Sequence, residues 1–140
     1  MKKDQIVFLI GRIQYKAGRF LTRELRAQGI HGLGVSHAEI LGALIFQGPL
    51  TMTEIAKTID KDKSTITALV NKLTRLGYVE RQKHGADNRV NHIAVTKQGE
   101  ALRPAFISIA RKLRSLSYRD IPDEDRETLV RLLTKLNENL

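Results

Sequence analysis

The chain has 140 residues, 41% of them hydrophobic, and a formal net charge of +9, so one compact domain with a polyanionic partner is expected. It has no cysteine, which excludes disulfides, thiolate metal sites and thiol redox sensing and fits a cytoplasmic location. The apolar run after Lys2-Lys3 is broken by Gly11, Arg12, Gln14, Lys16 and Arg19, so neither an export signal nor a membrane partner is expected.

In chain order, Ile6, Leu9, Ile10, Ile13, Ala17, Phe20, Leu21 and Leu25 recur at three- and four-residue spacing. That pattern predicts an amphipathic helix of roughly six turns. Gly11 and Gly18 share one of its faces, where another backbone is expected to approach closely. Gly29 to Gly34 ends the helix in a glycine-rich loop. Ser36, with Glu39 three residues on, predicts a capping box for a second helix whose inward side holds Ile40, Leu41, Leu44 and Ile45. Gln47-Gly48-Pro49 stops it.

Thr51-Met52-Thr53-Glu54 is another capping box, opening a short helix with Ile55, Ala56 and Ile59 inward. After a turn over Asp60-Lys61-Asp62, a longer helix is expected to run to about Leu76, with Ile66, Leu69, Val70 and Leu73 inward and Gly77 ending it. Tyr78 to Arg81 and His92 to Thr96 read as two strands flanking a polar hairpin tip from Lys83 to Asn91. A helix then begins at Lys97 or Gln98, with a kink or a late start at Pro104. A last helix starts near Pro122, where Asp123-Glu124-Asp125 favours the helix dipole, and carries Leu129, Leu132, Leu133 and Leu136.

The charge is unevenly spread. Residues 1–30 hold seven basic and two acidic groups, 57–92 eight and four, 97–119 six and one, and 120–140 three and six. The acidic tail is expected to lie away from a polyanion.

Residues 51–96 make the most informative stretch. A helix-turn-helix needs a second helix with one side in the core and the other offering small polar groups to base edges and phosphates. Removing the core positions of the 62–76 helix leaves Lys63, Ser64, Thr65, Thr67, Ala68, Asn71, Lys72 and Arg75. Asn71 can pair with adenine, and Ala68 can meet a thymine methyl. Lys61 in the turn adds a phosphate contact, and the hairpin tip supplies Lys83, His84, Asn88, Arg89 and Asn91. Arg89 suits the enhanced negative potential of a narrow minor groove, with Asp87 placed to orient its guanidinium. A solvated polar helix face and an ordinary Asp–Arg turn contact are the bland alternatives, and the two elements in succession outweigh them.

In this order the residues resemble the MarR family, the multiple-antibiotic-resistance type of winged-helix transcriptional regulators. The resemblance rests on Leu50 to Ala56, Thr67 to Leu73, Leu76 to Arg81, and Asp87-Asn88-Arg89 through Val95-Thr96 and Gly99. The helix order on both sides extends it over nearly the whole chain. The wing departs from the family in lacking the second basic residue frequent after its Asp.

The resemblance implies a mainly α fold with a small β-hairpin wing, in which 1–30 and 98–140 form a helical dimerisation region and 35–96 the DNA-binding domain. It also implies a homodimeric repressor on a palindromic operator, released by a small phenolic or lipophilic effector. Ile13, Ala17, His37 and Phe46 are expected to line that effector's cleft. The four histidines (His31, His37, His84, His92) lack the i, i+4 spacing of a helical metal site, so no metal is expected. No cofactor or enzymatic activity is expected either, because no nucleophile has a partnered base and no glycine loop has a strand-then-helix setting. A nonspecific architectural DNA binder and a winged helix used for protein contacts are the other readings.

Overall fold

The computed structural model describes residues 2–83 and 91–140. After a single 3-10 turn at Lys3–Gln5, α1 runs over Ile6–Ala27 and α2 over Val35–Gln47. The two-residue strand β1 (Leu50–Thr51) leads into α3 (Met52–Ile59) and α4 (Lys63–Arg75). Strands β2 (Val79–Lys83) and β3 (Asn91–Val95) come next, then the short α5 (Lys97–Glu100), α6 (Arg103–Ser117) and α7 (Asp123–Glu138).

Local chemistry sets these boundaries. At the end of α1 the N–H groups of Ile30 and Gly29 donate to the carbonyls of Leu25 and Arg26, at 2.9 and 3.0 Å. This is a Schellman closure; Gly29 takes the required left-handed φ of 80°, and Ile30 and Leu25 are both buried. The same device ends α4, where Tyr78 and Gly77 donate to Leu73 and Thr74 and Gly77 has φ 85°. The second helix does not use the expected Ser36–Glu39 box. It starts two residues earlier, behind Gly34, whose N–H donates to His37 Nδ1 at 3.3 Å. The helix begins at Lys97 as expected but is interrupted after Glu100, and α6 restarts at Arg103 with Pro104 in its first turn.

Three strands pair antiparallel in the order β1-β3-β2, with Leu50 and Arg81 both opposite Ile93 and Val79 opposite Val95. The fully buried side chains come mainly from α2 (Ile40, Leu41, Leu44, Ile45), α3 and α4 (Ile55, Ile66, Val70, Leu73) and the sheet (Val79, Ile93). Leu25 from α1 and Phe106 and Ile109 from α6 close this core, so it extends beyond residues 35–96.

Thr96 ties the sheet to α5. Its hydroxyl donates to the Gly77 carbonyl at 2.5 Å and accepts from the Gly99 N–H at 3.1 Å, capping that helix. Gly99 packs so tightly there that a Cβ would collide with the Tyr78 carbonyl oxygen.

The rest of the chain projects from this lobe. α1 and α6 pack together, joined by an ion pair between Glu24 and Lys112. α7 has no buried residue along its 16 positions. On α1, a Cβ at Gly18 would meet the Val35 side chain at 3.0 Å, whereas one at Gly11 would meet nothing within 4 Å. The neighbour expected at the glycine face is therefore a side chain at Gly18 and open space at Gly11.

Candidate nucleic-acid interface

The helix-turn-helix is built by α3, the turn and α4. Thr51 Oγ1 accepts from the Glu54 N–H at 3.1 Å while Glu54 Oε1 accepts from the Thr51 N–H at 3.4 Å, the reciprocal box that fixes the start of α3. Asp60 takes a left-handed φ of 53°, and the Lys61 N–H donates back to the Ala56 carbonyl. Asp62 then caps α4, its Oδ1 accepting from the Thr65 N–H and the Ser64 hydroxyl, both at 2.8 Å. Hydrogen bonding from the Thr65 backbone, then from the Ser64 and Thr65 side chains, holds the Asp62 carboxyl below its ordinary range. Sequence reasoning passed over Asp62, although an Asp just before a helical pattern is a standard N-cap signal.

Ile66, Val70 and Leu73 are fully buried and clamp one side of α4 to the core. The other side presents Lys63, Ser64, Thr65, Thr67, Ala68 and Asn71 to solvent. Two of these hydroxyls already have acceptors, Ser64 on Asp62 and Thr67 on the Lys63 carbonyl at 2.8 Å. With the Thr65 side chain also engaged by Asp62, Lys63 and Asn71 are the side chains on this face with donors left for a ligand. Lys61 is exposed in the turn and Lys83 at the end of β2. Arg81, two residues before Lys83 and so on the same strand face, is also exposed. Period-two reading of β2 would have found it. Asp87, Asn88 and Arg89, with His84, lie outside the described residues.

Lys72 is placed differently from its neighbours. It is half-buried, and its positive charge reaches His37 at the start of α2. Partial burial, and then the Lys72 charge, lower the His37 pKa. Neutral His37 is the form that accepts the Gly34 N–H through Nδ1.

The four residues expected at an effector cleft do not come together. Ile13 and Ala17 share a largely apolar hollow of about 310 Å³ with Phe20, Leu113 and Leu116, between α1 and α6. His37 is occupied at the start of α2, and Phe46 stands 53% exposed at that helix's end; neither lines the hollow. Among the described residues, no three of His, Asp or Glu are grouped to hold a metal ion. Among the same residues, no helix is long and apolar enough to cross a membrane.

Residues 31–89, which contain the helix-turn-helix and the first wing strand, match the MarR family. The chain thus resembles the MarR family through its helix-turn-helix segment. It is 34% identical over 91 residues to the HTH-type transcriptional repressor YetL of Bacillus subtilis, a match covering 65% of this chain and 54% of that protein. Its fold is that of MepR from S. aureus, solved in complex with DNA, at a TM-score of 0.82 and 24% identity over 96% of this chain and 97% of that one. BpsR of Bordetella bronchiseptica, whose DNA binding is regulated by 6-hydroxynicotinic acid, superposes at a TM-score of 0.78 and 19% identity over 98% and 96% of the two chains. The MarR family and fold are those of DNA-binding transcriptional regulators.

Proposed function

We propose that this chain is a homodimeric, sequence-specific repressor of the MarR family whose grip on a palindromic operator is relieved by a small lipophilic or phenolic effector. The observation that carries the reading is α4, a helix fixed to the core by Ile66, Val70 and Leu73 while its opposite face offers Lys63, Ser64, Thr65, Thr67, Ala68 and Asn71. An α-helix of that shape enters a major groove, its lysine reaching phosphate and its asparagine reading a base edge.

In this reading Asp87, Asn88 and Arg89 belong to the wing. Residues 1–30 and 98–140 serve dimerisation, and 35–96 bind DNA. The dimer is supported by apolar side chains that one chain leaves uncovered, Val7 and Phe8 on α1 (60% and 76% exposed) and Leu129, Leu132 and Leu133 on α7. The repressor role follows YetL, the operator reading follows the DNA-bound MepR, and effector control follows BpsR. The hollow at Ile13, Ala17, Phe20, Leu113 and Leu116 is the apolar recess in which an effector would spread α1 from α6. Such a protein works in the cytoplasm, where the operator is.

Binding to the duplex upstream of its own gene and to a random duplex, measured over a salt series, tests the proposal. A specific regulator keeps a large preference for the first as salt rises. Equal affinities that fall together with salt would mean that only phosphates are held, as in an architectural protein.

A further inference from the structure

A concentration of unused positive charge lies at the elbow joining α6 to α7. Arg111, Arg114 and Tyr118 recur at three- and four-residue spacing and so share one face of α6. Arg119 comes directly after them, and Arg126 reaches in from the opening turns of α7. With Ser115 and Asp120 these residues line a hollow of about 490 Å³. Phe106, where α6 packs on α2, is twelve residues before Tyr118. At the rise of an α-helix the lining therefore runs from about 7 Å beyond Phe106, at Arg111, to about 18 Å beyond it, at Tyr118.

Arg126 has a structural task. Its Nε donates to the Ile121 carbonyl at 2.7 Å and its Nη2 to the Tyr118 carbonyl at 3.2 Å, while the guanidinium stacks 4.9 Å from the Tyr118 ring centre. Asp123 lies 3.4 Å from it. These contacts cap the C-terminal end of α6 with a cation and offset the negative end of its dipole, which would otherwise repel an anion. They also hold the Tyr118 ring as one wall of the hollow.

Arg111, Arg114 and Arg119 have no such task. Among the described residues they form no ion pair and no side-chain hydrogen bond. The lining holds one carboxylate, Asp120, among the described residues, and Asp123 and Glu127 face the adjoining recess along α7. Three guanidinium groups thus face one cavity with less than their complement of negative charge. Arginine forks recognise carboxylates and phosphates through paired N–H donors.

We infer that the elbow between α6 and α7 is a binding site for a small organic polyanion, a molecule carrying at least two carboxylate or phosphate groups. One group sits between Arg111 and Arg114, the second against Arg119, and the body of the molecule lies along the Tyr118 ring.

Calorimetric titration of the full chain in chloride buffer tests the site, with pyrophosphate as the phosphate probe and citrate as the polycarboxylate probe. Saturable binding of either at one per chain is expected, and which one binds decides between the two chemistries. Because it removes both guanidinium forks facing one anionic group, Arg111→Gln with Arg114→Gln should weaken that binding at least about tenfold. Arg119→Gln, changing a side chain with no ion pair or hydrogen bond among the described residues, should weaken it separately. Lys63→Gln on the recognition helix should leave it unchanged.

No saturable binding by either probe would overturn the inference, as would binding that survives the arginine changes or is lost with Lys63→Gln. Sedimentation of the same variants covers the remaining occupant. If they bind neither probe more weakly but fall apart as oligomers, the hollow holds an acidic segment of a second copy instead, and the inference fails.

Discussion

At the scale of single residues, α4 separates the exposed positions proposed to read DNA from the buried positions that hold the helix in place. Lys63 and Asn71 are exposed, and their side chains form no hydrogen bond among the described residues, so they carry the contrast between affinity and specificity. Lys63→Ala should weaken binding to every duplex alike and reduce the salt slope by about one. Asn71→Ala should relax the preference at one operator position, by about 1–3 kcal/mol. A panel of operator variants read by fluorescence anisotropy distinguishes the two outcomes.

Lys72 and His37 form a different kind of pair, linking the recognition helix to the start of α2. The folded protein holds the His37 pKa below its ordinary 6.5, so the unfolded chain takes up this proton first as pH falls. The contribution of His37 is therefore fully present above pH 6.5 and is lost as pH falls from there toward the lowered folded value. His37→Gln can keep the bond to the Gly34 N–H without titrating, and should flatten urea-stability curves across that range. Lys72→Gln should raise the His37 midpoint, followed by its ring proton shifts in NMR.

At the scale of elements, the helices were legible because their signals are local. Apolar spacing marked the inward sides of α2, α3 and α4, and Gly29 and Gly77 marked helix ends because left-handed closures favour glycine. Long-range or competing interactions were harder to see. β1 is two residues long and exists only through its pairing with β3, forty residues on. Ser36 carried a capping signal as good as the one used, but the helix is capped two residues earlier, where His37 satisfies the Gly34 N–H.

The site was legible as a list of exposed polar residues, but not as a geometry. No periodicity shows that Lys72 turns toward His37, or that Phe46 and His37 stand apart from Ile13 and Ala17.

Two contacts that fix the lobe can be tested at this scale. Thr51→Ala removes the reciprocal cap of α3 and should cost about 1 kcal/mol in chemical denaturation. Gly99→Ala drives a methyl group into the Tyr78 carbonyl, where backbone rather than a pliable side chain must yield. It should cost about 1–3 kcal/mol or more.

At the scale of the whole molecule, the same chain places a well-packed lobe beside helices that lack a partner. α7 contributes nothing to the core, yet its leucines recur at the spacing of a packed helix face. The proposed second copy would cover that face and the apolar surface of α1 together. Leu133→Asp should therefore yield a folded monomer, because the lobe does not depend on Leu133, and should lose operator affinity through the loss of two-site attachment. Sedimentation and circular dichroism on one sample test both parts of this expectation.

The central claim, a symmetric reader of two half-sites built from α4, is tested most directly by hydroxyl-radical footprinting on the operator recovered from the upstream region. Two equivalent protected patches related by a dyad, with recognition helices about 34–36 Å apart, are the predicted result. A single patch without a dyad, or protection spread evenly along any duplex, would contradict it.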